Sequence, residues 1–207
     1  APRRGRGAAA GVDASSATIG DGVLGAIGNT PLVRIRSLSE ATGCDILAKV
    51  EFVNPGGSVK DRVAAQMLHE AMQRGHLRAG GLVTEGTMGS TGISLAMVSA
   101  AKGCRCFVAL PDDAAEEKAA LLQAYGAAIE KKRPVSITNA EHFVNVARRM
   151  AEAHEATAAG ALFANQFENL ANFRAHYHGT AAEIWRQTQG RLDAFVAGAG
   201  TGGTLAG

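Results

Sequence analysis

Apolar residues recur along this chain at two spacings, one typical of helices and one typical of strands. Positions three and four apart predict helices, and the predicted helices span 59–74, 91–102, 114–125, 141–155 and 170–187. Short apolar runs predict strands at 32–35, 46–52, 81–84 and 106–110, with the first two forming a hairpin. Strands alternate with helices from residue 81 onward, which predicts an α/β fold with a parallel sheet. The alanine-rich stretch 156–161 is predicted to be a surface loop.

A glycine-rich turn stands immediately before the first long helix. Pro55, Gly56 and Gly57 interrupt regular structure, and Ser58 is a predicted helix N-cap. The first helical turn then contains Lys60, so that its amine is presented beside a loop that can approach a ligand. The alternative is an ordinary capped helix with a solvated lysine. The neighbouring Asp61 is expected to face Arg62 or solvent, because adjacent helix residues point in different directions.

Two further loops rich in glycine and threonine follow, at 84–92 and 198–204. The first opens the apolar helix, and the second follows the strand-like run 194–197. Backbone N–H groups in such loops and at helix N-termini bind carboxylate and phosphate oxygens, so the three loops together predict an anion site. Gly198, Gly200 and Gly203 also satisfy the G-x-G-x-x-G pattern of a dinucleotide-binding fold. That pattern is weak alone, and it leaves Lys60 and the first loop unexplained.

The ordered set of motifs resembles the fold-type II pyridoxal-phosphate enzymes, and within them the cysteine synthase and cystathionine β-synthase family. The resemblance covers roughly residues 19–207. It is carried by the segments 27–33, 49–62, 84–92, 101–103, 110–111, 117–118, 125–127, 165–169, 171–172 and 200–204. This order of motifs is far more specific than any one of them.

The resemblance implies a two-lobed α/β fold like that of the tryptophan synthase β subunit, with parallel sheets flanked by helices. A larger, cofactor-binding lobe would contain 19–53 and 161–207, a smaller mobile lobe 54–160, and a basic tail 1–18. In the family the last loop is followed by a helix and further strands, which supply the partner of the cofactor's pyridine nitrogen. The larger lobe is therefore expected to be incomplete, whether the chain is a fragment or a natural short form.

The resemblance also implies the roles of the site residues. Lys60 would form the Schiff base with pyridoxal phosphate and move the proton of the substrate's α-carbon. The residues that would clasp the α-carboxylate of the substrate are Thr87, Met88, Gly89, Ser90, Thr91 and Gln166. Ser90 would also contact the cofactor, and the cofactor phosphate would rest on Gly200, Thr201, Gly202, Gly203 and Thr204. Most members have Ser and Asn where this chain has Met88 and Ser90, which could alter substrate preference.

The implied function is a β-replacement that forms L-cysteine from O-acetylserine and sulfide through an aminoacrylate. A related condensation of serine with homocysteine is the first alternative. The second is a non-catalytic paralogue that serves as a subunit of a larger assembly. A homodimer or a larger complex is expected in either case.

Composition and charge exclude other classes of function. The net charge of +2 over 207 residues gives no case for nucleic-acid binding, and no apolar run is long enough to cross a bilayer. The cysteines Cys44, Cys104 and Cys106 lack the spacing of a disulfide framework or a zinc site, so we expect reduced intracellular thiols and no metal. Structural or surface roles are expected for the histidines. The arginine-rich start, without an acid before Asp13, favours an organelle over the cytoplasm; a disordered basic tail is the alternative.

Overall fold

The computed structural model describes residues 22–207, and all structural statements refer to them. The strands are β1 (Leu32–Arg34), β2 (Leu47–Lys49), β3 (Leu82–Gly86), β4 (Arg105–Pro111), β5 (Ala128–Lys132) and β6 (Ala161–Phe163). The α-helices are α1 (Arg36–Thr42), α2 (Lys60–Gln73), α3 (Ser90–Ala101), α4 (Glu116–Ala124), α5 (Phe143–Glu155), α6 (Ala171–Ala175), α7 (Ala182–Gln187) and α8 (Gly203–Ala206). A π-helical segment, His176–Ala181, joins α6 to α7.

A four-stranded parallel sheet forms the centre of the fold, in the order β5-β4-β3-β6. The chain moves outward from β3 through β4 to β5, and then returns to place β6 on the other side of β3. Loops that leave adjacent strands in opposite directions open a crevice at the carboxyl edge of such a sheet, and ligands bind there. The loops after β3 and β6 meet at this crevice.

Helices cover both faces of the sheet, so the residues of its central strands β3 and β4 are buried, with the exception of Arg105. Side chains of β4 alternate between two clusters. Cys106, Val108 and Leu110 join the larger core with α2 and α3, whereas Phe107 and Ala109 pack with α5 on the opposite face. The α/β fold and the parallel sheet expected from the sequence are confirmed.

The N-terminal hairpin is also confirmed, since β1 and β2 pair in antiparallel register with Val33 opposite Ala48. Four of the strands and α-helices named above are absent from the sequence prediction: α1 between these strands, the charged edge strand β5, the short strand β6 and the C-terminal helix α8. The predicted loop 156–161 ends one residue early, because Ala161 begins β6. The predicted helix 170–187 is continuous in space, but its middle turn is π-helical.

The strand-like run 194–197 is not a strand among the described residues. Its side chains are exposed, and Val196 retains 92% of its accessible surface. Beta propensity stabilises a strand only where a neighbour supplies hydrogen bonds and packing, and no described strand lies beside this run. The strand that a dinucleotide-binding fingerprint requires before its glycines is therefore missing from this part of the chain.

Candidate active site

The predicted reactive lysine lies at the first position of α2, directly after the glycine-rich turn. The hydroxyl oxygen of Ser58 accepts a hydrogen bond from the Lys60 backbone N–H at 3.2 Å. Ser58 thus satisfies one of the helix's free N–H groups, although the helix begins two residues later. The amine of Lys60 forms no hydrogen bond or ion pair within residues 22–207, and burial lowers its pKa. A half-buried, unpaired amine of lowered pKa can act as a base or a nucleophile.

Asp61 does not face Arg62 or solvent, and that expectation is wrong. Its carboxylate is buried, accepting the backbone N–H of Gly56 at 2.6 Å and the hydroxyl of Ser94 at 2.5 Å. A Cβ atom on Gly56 would lie 2.3 Å from this carboxylate, so the turn closes over Asp61 only because residue 56 is glycine. Asp61 therefore holds the turn before Lys60 against α3.

The loop after β3 leads into the N-terminus of α3 and contains Thr87, Met88, Gly89, Ser90 and Thr91. Thr87 is buried, and its hydroxyl oxygen accepts the N–H of Gly89 at 3.1 Å. The backbone N–H groups of Met88, Ser90 and Thr91 find no acceptor in the described part of the chain. Free N–H groups at the start of a twelve-residue helix fit a carboxylate. Met88 is 57% exposed and leaves the opening of the loop uncovered.

Gln166 follows β6 and lies beside this loop, because β3 and β6 are neighbours and end at the same edge. The Thr91 hydroxyl donates to the Gln166 side-chain oxygen at 2.6 Å. The amide nitrogen of the Gln166 side chain is thereby left to donate to a ligand. The structure thus brings together the two segments that the sequence assigned to the substrate carboxylate.

Sequence reasoning missed Glu85, which is buried one residue before the end of β3. Its carboxylate accepts the backbone N–H of Gln166 at 3.3 Å. Burial raises the pKa of this carboxyl to about 7, against the opposing effect of hydrogen bonds from the backbone of Gln166, Gly86 and Asn165. A single acidic residue inside an apolar strand pattern was the available signal.

The last loop, Gly200 to Thr204, precedes and opens α8. Its backbone N–H groups form no hydrogen bond within residues 22–207. An added Cβ at Gly200 or Gly202 would meet nothing within 4 Å, so the space next to these two glycines is open, and Gly202 has a φ of +82° that favours glycine. Gly203 instead packs against Asn172, where a Cβ would lie 2.2 Å from the side-chain oxygen.

His176 contacts the last loop from the π-helical segment, which packs against the helix that begins at Lys60. It is fully buried, and its ring nitrogens lie 3.0 Å from the Thr180 hydroxyl and 3.4 Å from the Thr204 hydroxyl. Burial, followed by the positive charges of Lys60 and Arg62, lowers the pKa of His176 to about 4.

The free N–H groups, the open space and the unpaired lysine fit a cofactor that carries an aldehyde and a phosphate. The last loop would hold the phosphate, and Lys60 would hold the aldehyde carbon. The three loops that sequence reasoning selected thus lie on one side of the molecule, around the carboxyl ends of β3 and β6. The described residues contain no group of three or more His, Cys, Asp or Glu side chains placed to hold a metal ion, nor a helix long and apolar enough to cross a membrane.

Comparisons with known proteins agree with this geometry. Residues 23–207 match the family of pyridoxal-phosphate dependent enzymes. The chain is 57% identical over 193 residues to cysteine synthase 2 of Neurospora crassa, covering 90% of this chain and 42% of that protein. It is 50% identical over 191 residues to a Saccharomyces cerevisiae protein provisionally named a mitochondrial cysteine synthase, covering 90% of this chain and 49% of that one.

The solved structures include a cysteine synthase from Entamoeba histolytica, to which the chain is 32% identical with a TM-score of 0.82. That match covers 95% of this chain and 57% of the crystallised one. The chain thus spans less than half the length of the two relatives named above.

Proposed function

This chain belongs to the family of pyridoxal-phosphate dependent enzymes, and we propose that it carries the lysine and both anion-binding loops of a cysteine synthase. The reaction would convert O-acetylserine and sulfide to L-cysteine and acetate. One observation carries the proposal: the amine of Lys60 has no hydrogen-bond partner within residues 22–207, and the Asp61–Ser94 hydrogen bond holds its helix turn against α3, which begins at the free N–H groups of the first loop, where Thr91 binds Gln166.

Pyridoxal phosphate, when bound, supplies an electron sink for the pair left at the α-carbon. In the proposal, the amine of the substrate would replace Lys60 on the cofactor, and the Nζ atom released in this way would take the α-proton. Acetate leaves the β-carbon, sulfide takes its place, and the same atom returns the proton. Burial assists this role, because a lowered pKa makes the neutral amine more available near neutral pH.

The substrate carboxylate would be held by donors from Thr87 to Thr91 and by the side-chain amide of Gln166. The phosphate would be held by the backbone of Gly200 to Thr204, with the hydroxyls of Thr201 and Thr204 as further donors. Ser90 would contact the cofactor. Its side chain forms no hydrogen bond within the described residues, so it is available for this contact.

The proposal is tested by attaching the cofactor and locating it. The chain is incubated with pyridoxal phosphate, reduced with borohydride and digested, and the modified peptide is identified by mass spectrometry. We expect reduction onto Lys60, its loss in Lys60→Ala, and its retention in Lys102→Ala, a lysine at the far end of α3. Folded protein that is modified elsewhere, or not at all, contradicts the proposal.

Turnover then separates the reactions. We expect cysteine from O-acetylserine and sulfide at a higher rate than cystathionine from serine and homocysteine. Faster cystathionine formation would favour the alternative condensation. Cofactor on Lys60 with no turnover of either pair would identify a non-catalytic subunit.

The proposed function also includes an assembly of several chains, a division of the chain into two lobes and a location in an organelle. Large apolar side chains stay exposed, among them Phe52 at 75% and Trp185 at 63%, which supports a homodimer or a larger complex. Sedimentation of the purified chain tests this. The proposed smaller lobe is 54–160, and the pairing of β6 with β3 extends its sheet to Phe163, three residues past that bound. The basic tail 1–18, which lies outside the described residues, supports an organelle, and a fluorescent fusion of residues 1–18 tests it.

A further inference from the structure

Asn172 lies between the two predicted anion-binding regions. It is the second residue of α6 and is buried. Its side-chain nitrogen donates to the backbone carbonyl of Gln166 at 3.0 Å and to the hydroxyl oxygen of Thr201 at 2.7 Å. One amide group therefore contacts the proposed carboxylate site and the proposed phosphate loop.

The orientation of this amide is fixed from both sides. A carbonyl oxygen only accepts hydrogen bonds, so the nitrogen must face Gln166. The oxygen of Asn172 then faces Gly203 and has no hydrogen-bond partner within residues 22–207. A buried amide oxygen without a partner costs free energy, which indicates that the position of the nitrogen is what this residue provides.

The bond to Thr201 sets which way its hydroxyl points. Because the Thr201 oxygen accepts from Asn172, its hydrogen is directed away and remains free to donate. A phosphate oxygen is the acceptor that the proposed cofactor would bring to this position. Asn172 thus turns Thr201 into a donor toward the loop.

The bond to Gln166 acts on the other region. The Gln166 backbone is held by Asn172 at its carbonyl and by Glu85 at its N–H. Its side-chain oxygen accepts from Thr91. A displacement of Asn172 therefore moves the backbone that carries the Gln166 amide and, through it, the contact with Thr91.

We propose that Asn172 is a positioning residue that couples occupancy of the Gly200–Thr204 loop to the geometry of the Gln166 site. The assignment of ligands to the two regions rests on the proposed function. A phosphate bound to the loop would immobilise Thr201, and through Asn172 it would order Gln166 and strengthen carboxylate binding. Coupling of this kind is reciprocal, so a bound carboxylate would equally strengthen phosphate binding.

Hydrogen exchange measures the coupling without any cofactor. Inorganic phosphate is added to the purified chain, and exchange is followed in peptides that contain 165–168 and 200–204. We expect protection of both segments in the unmodified chain, and of 200–204 alone in Asn172→Ala. Protection confined to 200–204 in the unmodified chain, or absent from both segments, overturns the proposal.

The matched control is Asn169→Ala, three residues earlier. The side chain of Asn169 donates to the carbonyl of Ala164 at 3.0 Å and accepts the N–H of Ala171 at 3.0 Å, and it forms no hydrogen bond to Gln166 or the last loop within residues 22–207. It reports the general loss from removing an amide at the start of α6. We expect phosphate to protect both segments in this variant.

A second pair of variants applies if Asn172→Ala fails to fold. Thr201→Val removes the hydroxyl that accepts from Asn172, whereas Thr201→Ser keeps it. We expect protection of 165–168 by phosphate to be lost in the first and kept in the second. Equal protection of 165–168 in both variants overturns the proposal.

The loaded protein supplies an independent readout. Affinity for L-alanine, an amino acid without a β leaving group, is compared in chains carrying pyridoxal phosphate or pyridoxal, which lacks the phosphate. We expect binding about tenfold tighter with the phosphate form, from one hydrogen bond of roughly 1.4 kcal/mol, and equal binding in Asn172→Ala. A ratio unchanged by the substitution contradicts the coupling, whereas absence of cofactor on Lys60 contradicts the proposed function and leaves the exchange experiment decisive.

Discussion

Folding shifts the pKa values of two buried ionisable residues near the site in opposite directions. Burial raises the pKa of Glu85 from 4.5 to about 7, and burial with the charges of Lys60 and Arg62 lowers that of His176 from 6.5 to about 4. Glu85 binds a proton on folding, so its contribution to stability falls as pH rises from 4.5 through 7. His176 loses one, so its contribution rises with pH from 4 to 6.5.

The two effects should cancel where their ranges overlap. Each contributes about 1.4 kcal/mol per pH unit, with opposite sign. Between pH 5 and 6, we expect the free energy of unfolding by urea to rise with pH in Glu85→Gln and to fall with pH in His176→Asn. In the unmodified chain the two contributions should cancel, so that together they add no pH dependence. The control Asn169→Ala removes no ionisable group and should not alter the slope. Unchanged slopes in both buried-residue variants would contradict the assignment.

At the scale of elements, close packing of β3 against α5 depends on one glycine. A Cβ atom on Gly86 would lie 2.4 Å from the Cα of Val144 and 2.8 Å from the carbonyl oxygen of Phe143. Backbone atoms at the start of a helix cannot yield as a flexible side chain can. The end of β3, and with it Glu85 and Thr87, is therefore placed by direct contact between backbones.

Gly86→Ala should accordingly destabilise the chain by about 2–3 kcal/mol through overpacking. Chemical denaturation monitored by circular dichroism measures the change. Gly198→Ala is the matched control, since its Cβ would meet nothing within 4 Å, and it should change stability by less than about 0.5 kcal/mol. A tolerated alanine at residue 86 would show that α5 can move away from the sheet.

The elements predicted correctly from the sequence are those whose own residues carry a long apolar pattern and therefore determine which side is buried. Helices α2, α3 and α5 and strand β4 have long apolar patterns, and they lie where the patterns placed them. Strand β5 has the charged sequence Ala-Ile-Glu-Lys-Lys and is held by pairing to β4. A strand that is stabilised mainly by pairing with its neighbour cannot be predicted from its own sequence pattern.

The same distinction applies to the site. Glycine loops and Lys60 were recognisable, because their chemistry is local in sequence. The contacts of Asp61 with Ser94 and of Asn172 with Thr201 join residues 33 and 29 positions apart. The π-helical turn was likewise unpredictable, although it sets the direction in which α7 presents Glu183.

At the scale of the whole molecule, a buried ion-pair network joins three distant parts of the chain. Arg62 donates to Glu51 and to Glu183, and Lys49 donates to Glu183 at 2.6 Å. Burial opposes ionisation of Glu183, but hydrogen bonds from Arg62 and Lys49 outweigh it and lower its pKa to about 2. The network ties the N-terminal hairpin region and α7 to α2, two residues after Lys60.

Breaking this network should cost more than an ordinary surface ion pair. Glu183→Ala leaves two cations with fewer acceptors in a largely buried site, and we expect a loss of about 3 kcal/mol at pH 7. Because the folded pKa lies below the unfolded value of 4.5, the stabilisation should be lost as pH falls from 4.5 toward 2. Urea unfolding across this range measures it. Glu116→Ala, which removes the exposed ion-pair partner of Lys131, should cost far less.

The hydrogen bond from Thr91 to Gln166 has a consequence for recognition. Because the side-chain oxygen of Gln166 already accepts from Thr91, its amide N–H groups are left as donors toward the crevice. The free backbone N–H groups beside it are donors as well. Hydrogen-bond donors therefore predominate at this edge of the crevice. A carboxylate satisfies it completely, whereas the primary amide of the same amino acid would set its own N–H hydrogens against those of the protein. If the crevice binds the substrate as proposed, it would therefore favour amino acids with a free carboxylate over amidated or peptide-linked ones before any catalytic step.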